Sequence, residues 1–253
     1  MGLRDLVYGA YSRRVVSQID ADRIPRHVGV VLDGNRRWAS DKGSSSHHGH
    51  KAGADKIEEF ISWCEEAGVE VVTLWLLSTD NLSRPEKELA PLLEIIADTV
   101  TELAATGRWR IHPVGALDLL PDETARALKE ADDLTRDIDG TVVNVAVGYG
   151  GRRELVDAVR SLLSEQAEQG VTLDELAQVL DVEHIAAHLY TKGQPDPDLL
   201  IRTSGEQRLS GFMLWQSANS EFYFCEAYWP DFRQVDFLRA LRSYSQRKRR
   251  FGA

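Results

Sequence analysis

The segment Asp33-Gly34-Asn35-Arg36-Arg37-Trp38 joins a carboxylate, a glycine turn, an amide and two guanidinium groups. These parts suit an Mg2+-diphosphate. The carboxylate can hold a hard cation through oxygen, the glycine lets backbone N–H groups approach an oxyanion, and arginine meets phosphate as a fork. A second gathering, over residues 201–216, sets Arg202, Ser204, Arg208 and Ser210 around a loop that also contains Gly205 and Gly211. Two fixed charges and two hydroxyls there read as a second anion site. Each segment alone also has an ordinary reading, an Asx-capped turn with surface arginines for the first and a solvated basic loop for the second. Between them, residues 77–88 offer Ser78, Asn81 and Arg84 for polar contacts, with Ser83 as a helix cap and Pro85 at N1.

Other motifs are weaker. Residues 44–51 carry His47, His48 and His50, but no acids or cysteines recur at zinc spacing. A histidine at a helix N-terminus, His50, could instead donate to a phosphate oxygen. Gly148-Tyr149-Gly150-Gly151 approaches a dinucleotide fingerprint and fails it, because Arg153 stands where the third small residue belongs. No P-loop, G-x-S-x-G or H-E-x-x-H pattern occurs, which leaves nucleotide kinase, serine hydrolase and zincin readings without support.

The elements that must position these groups alternate. The continuous β-branched run at 28–32 predicts a buried parallel strand ending at Asp33. After an amphipathic opening, further strands are predicted at 69–77, 110–114, 142–147 and 199–202. Helices are predicted from about 51 to Gly68, then at 86–105, 122–137, 152–169 and 182–189, and Thr172 with Glu175 forms a capping box for another. Such alternation implies an α/β domain with a mostly parallel sheet covered on both faces, whose ligands bind beyond the carboxyl ends of the strands.

Composition narrows the class. The chain has 253 residues, 43% hydrophobic and 28% charged, as expected of one globular domain over 1–253. Thirty basic against forty acidic residues give a net charge of −10, so nucleic acid is not an expected partner. The longest apolar run, 71–77, is far short of the roughly 20 residues that a membrane-spanning helix needs. Cytoplasmic residence is expected. Cys64 and Cys225 are the only cysteines, too few for a disulfide framework.

Taken together, DGNRRW at 33–38, GHKAG at 49–53, STDNLSRP at 78–85, GYGGR at 148–152 and RTSGEQRLSGFMLWQ at 202–216 resemble the cis-prenyltransferases, the undecaprenyl diphosphate synthase family. SEFYF at 220–224, WPDF at 229–232 and RRFG at 249–252 extend the likeness over nearly the whole chain. The resemblance implies a single α/β domain with a six-stranded sheet, a homodimer, and Mg2+-dependent condensation of isopentenyl diphosphate with an allylic diphosphate. By that resemblance Asp33 and Asn35 are catalytic, and Gly34, Arg36, Arg37, Trp38, Gly49, His50, Ser78 and Arg84 bind the allylic diphosphate. Arg202, Arg208 and Ser210 bind isopentenyl diphosphate. Asp33 and Glu221 serve the metal, Glu221 from the same or the neighbouring subunit, and Arg250 and Gly252 reach the partner's site. The apolar product implies transient, peripheral membrane association.

Three departures stand out. Ser46 replaces a common arginine, Asp80 a glutamate and Leu82 a tryptophan. Leu82 with GYGG at 148–151 resembles the actinobacterial short-chain branch, which makes (Z,E)-farnesyl diphosphate from geranyl diphosphate, and it marks Leu82 as the expected chain-length residue. No strong side-chain base stands out, so the proton acceptor is expected to be a diphosphate oxygen or a water held by Asn35. The alternatives are a longer-chain polyprenyl diphosphate synthase, an enzyme with another prenyl acceptor, and a non-catalytic prenyltransferase subunit.

Overall fold

The short β-branched runs assemble, in a computed structural model, into one six-stranded parallel sheet. The structure describes residues 3–247, with side chains from Tyr8 onward. Arg250 and Gly252 lie outside the described residues. The chain runs α1 (Leu3–Val16), β1 (His27–Val31), α2 (Asn35–Asp41), α3 (Ser46–Asp55), α4 (Ile57–Glu66), β2 (Val71–Ser78), a 3-10 turn (Asp80–Ser83) and α5 (Glu86–Ala105). It continues through β3 (Arg110–Val114), α6 (Asp122–Thr135), β4 (Val142–Tyr149), α7 (Gly151–Glu168), α8 (Leu173–Val179), α9 (Val182–Ala186), β5 (Leu199–Arg202), β6 (Glu221–Phe224) and α10 (Gln234–Gln246).

The strand order is β3-β4-β2-β1-β5-β6. The chain leaves β1 in one direction to build β2, β4 and β3, then returns to add β5 on the other side of β1. The order therefore reverses between β1 and β5, and a crevice opens beyond their carboxyl ends. Side chains alternate across the sheet with period two. Val28, Val30, Val72, Leu74, Val143, Val145, Leu199 and Ile201 join Phe60, Ile61, Ile96 and Phe237 in the larger core. Val31, Trp75, Ala146 and Leu200 face the other way, against Phe212 and Met213.

Three local expectations change. The single helix predicted from about 51 to Gly68 is two, α3 and α4, divided at Lys56, and the first starts at Ser46, because the Ser45 hydroxyl accepts the His48 N–H at 3.2 Å and caps it there. His50 consequently lies inside α3 and not at its N-terminus. Ser83 does not cap α5: its hydroxyl donates to the Asp80 carbonyl at 2.7 Å within the 3-10 turn, and Pro85 immediately precedes the helix. β6 and α10 are additional elements, and β6 forms the sheet edge.

A row of polar groups crosses the second face. The buried His27 ring sets Nδ1 2.7 Å from the Pro195 carbonyl and Nε2 2.8 Å from the Thr73 hydroxyl, which also accepts from Asn144 Nδ2 at 2.9 Å. A carbonyl only accepts, so Nδ1 carries the proton and Nε2 is free to accept from Thr73. Burial pushes the His27 pKa down from 6.5 to about 4, against the opposing pull of the Pro195 bond and Asp198. The unfolded chain takes up a proton near pH 6.5 that the folded chain refuses until about 4. Stability contributed by the neutral ring is therefore present above 6.5 and falls as pH drops, by about 3 kcal/mol. Urea denaturation of wild type and His27→Gln across pH 4–7 checks this: the variant should be less stable at pH 7 and should lose less on acidification.

Candidate active site between the ends of β1 and β5

Val31 at the end of β1 pairs with Arg202, the last residue of β5. Asp33 follows two residues beyond Val31, and Thr203 clips it in place, its hydroxyl accepting the Asp33 N–H at 2.9 Å and donating to the Asp33 carbonyl at 2.7 Å. Gly34 then turns with φ +104°, where a Cβ would come within 2.7 Å of the Tyr228 ring. Only glycine combines that dihedral with that approach. The turn launches α2, which carries Arg36 and Arg37 to the crevice.

The buried Arg202 guanidinium donates to Asp33 Oδ2 at 2.7 Å, to Ser210 Oγ at 2.8 Å and to the Arg208 carbonyl. Arg37 donates to Asp33 Oδ1 at 3.3 Å, to Ser204 Oγ at 2.7 Å and to Glu206 at 3.2 Å, and Glu206 also pairs with Arg208. Partial burial works to raise the Asp33 carboxyl, but the hydrogen bond and charge of Arg202, followed by Arg37 and Ser204, outweigh it and hold the group below its usual range. Asp33 is a carboxylate at neutral pH.

These groups line a cavity of about 600 Å3 that also takes in Arg36, Ser78, Asp80, Asn81 and Arg84. Arginines outnumber carboxylates in its wall, with Arg36, Arg37, Arg84, Arg202 and Arg208 against Asp33, Asp80 and Glu206. In a protein of net charge −10, the cavity is a local positive well suited to phosphate. It adjoins a narrow apolar slot of about 30 Å3 lined by Leu32, Ile57, Leu76, Leu92, Ile95 and Ile96. Asn35 and His50 line both spaces, and Asn35 Oδ1 and His50 Nε2 are buried without a hydrogen-bond partner. Burial, with the charges of Arg84 and Arg36, pushes His50 down to about 4. It is a neutral polar group at neutral pH.

Not every predicted site residue reaches the cavity. Trp38 is buried and stacks on His48 with ring centroids 5.6 Å apart. Gly49 lies where α3 passes over α2, and a Cβ there would come within 2.2 Å of the Asn35 carbonyl oxygen. Leu82 packs on the larger core and lines neither space. Glu221 opens β6 in register with Leu199, at the opposite end of the strands from Asp33, and is ion-paired with Arg247. A same-chain metal pair of Asp33 with Glu221 is therefore excluded by register. Among the described residues no group of three or more His, Cys, Asp or Glu could hold a metal. Asp33 alone still fits Mg2+, an ion usually held by one or two carboxylates together with substrate phosphates and water. Glu206 and the slot residues Leu76 and Ile95 join the site only in the structure. Glu206 had one signal in sequence, its place beside Arg208 in a loop otherwise rich in positive charge.

A family model for undecaprenyl diphosphate synthases matches residues 31–252. A protein of Thermobifida fusca named (2Z,6E)-farnesyl diphosphate synthase is 65% identical over 251 residues, covering 99% of this chain and 98% of that protein. A short-chain Z-isoprenyl diphosphate synthase of Mycobacterium leprae is 54% identical over 254 residues, covering 99% and 97%. The crystal structure of lavandulyl diphosphate synthase from Lavandula x intermedia, in complex with dimethylallyl diphosphate, superposes with a TM-score of 0.85 at 35% identity. That match covers 92% of this chain and all of the other.

Gly49 and Gly53 provide a test of how α3 is seated. The clash of a Cβ at Gly49 is with backbone, whereas at Gly53 it is with the Asn35 side chain, at 2.5 Å. Gly49→Ala should cost about 1–3 kcal/mol, the usual range for overpacking. Gly53→Ala should cost less, because an amide side chain can move and a helix cannot. Urea denaturation of both variants decides it.

Proposed function

The chain belongs to the undecaprenyl diphosphate synthase family of prenyltransferases, and from that premise we propose that it joins isopentenyl diphosphate to an allylic diphosphate, geranyl diphosphate by preference, giving a short Z-isoprenyl diphosphate such as (Z,E)-farnesyl diphosphate. One observation carries this reading. Arginines from two different strand ends converge on a single carboxylate at the mouth of an apolar slot.

Arg36, Arg37 and Arg84 form the group suited to the starter's diphosphate, and Arg202, Arg208 and Ser210 the group suited to isopentenyl diphosphate. Asp33 would hold Mg2+ together with diphosphate oxygens, and the ion would offset the charge on the departing diphosphate. Fixed guanidinium groups stabilise the same developing anion without reorganising. The neutral His50 ring and the Asn35 amide carry unpartnered polar atoms at the junction of cavity and slot, where they would face the reacting carbons. Apolar walls keep water from the allylic cation. Once the new bond has formed, a C2 proton of the isopentenyl unit leaves for a diphosphate oxygen or for a water held by Asn35 Oδ1, which restores a double bond.

The slot is narrow and walled by the bulky side chains of Leu92, Ile95 and Ile96, which supports a short product. We further propose a homodimer formed along β6, whose Phe222 and Phe224 stack at 6.4 Å on the sheet edge with Phe224 exposed. In that assembly Glu221 would serve the partner's metal. No helix among the described residues is long and apolar enough to cross a membrane, so any membrane association would be peripheral and through the product.

Incubation with Mg2+, labelled isopentenyl diphosphate and each allylic starter in turn, followed by sizing of the products, tests the reading. A fifteen-carbon Z product from geranyl diphosphate is expected, and absence of condensation with every starter overturns it. Asp33→Ala should lower kcat by about 100-fold or more, the scale of a lost charge stabiliser, and near-normal kcat would remove Asp33 from the chemistry. Arg208→Ala should mainly raise KM for isopentenyl diphosphate. Arg202→Ala should raise that KM and also lower kcat, because Arg202 holds Asp33 as well. For length control, Leu92→Ala should lengthen the product by opening the slot, while Leu82→Ala should leave the distribution unchanged; the reverse pattern returns the stop to Leu82.

A further inference from the structure

Five of the cavity's eight charged groups form a continuous alternating chain, while Arg36 and Arg84 share Glu88. Arg202 bonds Asp33, Asp33 bonds Arg37, Arg37 bonds Glu206, and Glu206 bonds Arg208. Asp33 has a role in the proposed chemistry, but Glu206 has none so far. Its two carboxylate oxygens are divided between Arg37, on the starter side, and Arg208, on the isopentenyl side. Each of these guanidiniums, one from each proposed diphosphate site, therefore already donates to a carboxylate. The Arg37 and Arg208 side chains are 45% and 63% exposed, against 28% for Glu206, so both arginines can turn toward an incoming ligand while Glu206 stays in the wall.

We propose that Glu206 is a displaceable counter-anion shared by the two diphosphate sites. It neutralises Arg37 and Arg208 in the empty cavity, yields them to the substrates, and reclaims them as inorganic diphosphate leaves. A guanidinium fork satisfies a phosphate and a carboxylate in the same geometry, so the two anions exclude each other on each arginine. An anion that engages only one arginine leaves Glu206 its second partner, whereas a diphosphate with several oxygens competes for both. Glu206 thereby weakens retention of the released product and discriminates against single phosphates. It acts through Arg37 and Arg208 and is a positioning residue, not a catalytic one.

This inference rests on the reading of the cavity as a diphosphate site, and the test separates the two. The probe is inorganic pyrophosphate, titrated calorimetrically into the full chain in buffer containing a chelator, so that metal does not contribute. Wild type, Glu206→Gln, Asp80→Asn and Arg202→Ala are compared, with thermal melts to show that each is folded. Glu206→Gln should bind pyrophosphate roughly tenfold more tightly than wild type, the scale of one charge-assisted hydrogen bond relieved of competition. Orthophosphate should gain at least as much. Asp80 lines the same cavity and has no ion pair among those found in the described residues, so Asp80→Asn removes the same charge without freeing an arginine and should gain far less. Glu206→Asp, which keeps the charge, should stay near wild type. Unchanged or weaker binding by Glu206→Gln means that the carboxylate merely braces the arginines and overturns the proposal. Equal gains in Glu206→Gln and Asp80→Asn reduce the effect to general repulsion and overturn it too. If wild type binds no pyrophosphate, or binds it equally well after Arg202→Ala, the diphosphate site itself falls.

Discussion

The pairing of Arg202 with Asp33 is the constraint around which the site is built. A guanidinium buried at the end of a central strand is costly unless it is charge-paired and hydrogen-bonded. Asp33 Oδ2 accepts from Nη2, Ser210 Oγ and the Arg208 carbonyl accept from Nη1, and only the buried Nε has no partner among the described residues. For Ser210 and the Arg208 carbonyl to reach Arg202, the chain after β5 must fold back over its own end. The fold-back requires left-handed backbone at Ser204, Gly205, Ser210, Gly211 and Met213, a conformation in which non-glycine residues persist only when their surroundings demand it. The same tight loop places Ser204 and Glu206 against Arg37. Fixing one buried charge thus shapes the loop that presents most of the others.

The loop is also held from behind. The Tyr149 hydroxyl accepts the Met213 N–H at 3.2 Å and donates to Glu154 at 2.6 Å, and Gln216 donates to Glu154 at 2.9 Å. Burial raises the Glu154 carboxyl, against the hydrogen bonds from Tyr149, Gln216 and the Tyr190 backbone, and burial together with Glu154 raises the Tyr149 hydroxyl. The first helical residue of α7 contributes directly, since the Gly151 N–H donates to the Gly211 carbonyl at 2.9 Å. A polar network inside the protein is therefore continuous with the rim of the cavity, which suits a site that must keep its arginines aimed while ligands come and go.

Two polar residues stand where polar and apolar space meet. Asn35 and His50 face both the charged cavity and the slot, and the close seating of α3 on α2 at Gly49 and Gly53 brings them together. Burial and the neighbouring arginines keep His50 neutral. A charged ring there would add to the positive well and draw water toward the slot, whereas a neutral one marks the boundary without hydrating it.

Much of this was legible in the residues. β-Branched runs ending in Asp33 and Arg202, separated by periodic helical segments, determine a parallel sheet with an acid and a base at strand tips, because side-chain periodicity is a local property. Helix α5 over 86–105 and strands β3 and β5 fall where the pattern puts them. Helix α10 could have been read from Phe237, Ala240, Leu241 and Tyr244 at helical spacing, while β6, four residues long, is too short to carry a pattern. The motif order also identifies the family and names the arginines. Tertiary structure decided which of those residues meet. The reversal of strand order between β1 and β5 sets Asp33 against Arg202 across 169 positions of chain, and register sends Glu221 to the far end of the sheet. Packing turned Trp38 and Leu82 inward, and of the apolar face that α5 presents it brought Leu92 and Ile96 to the slot, with Ile95 beside them. Glu206 became a partner of two sites through a fold-back that no periodicity announces. Local sequence sets which way a side chain alternates, but the encounter of two charges depends on how distant strands are ordered, and that is a property of the assembled sheet.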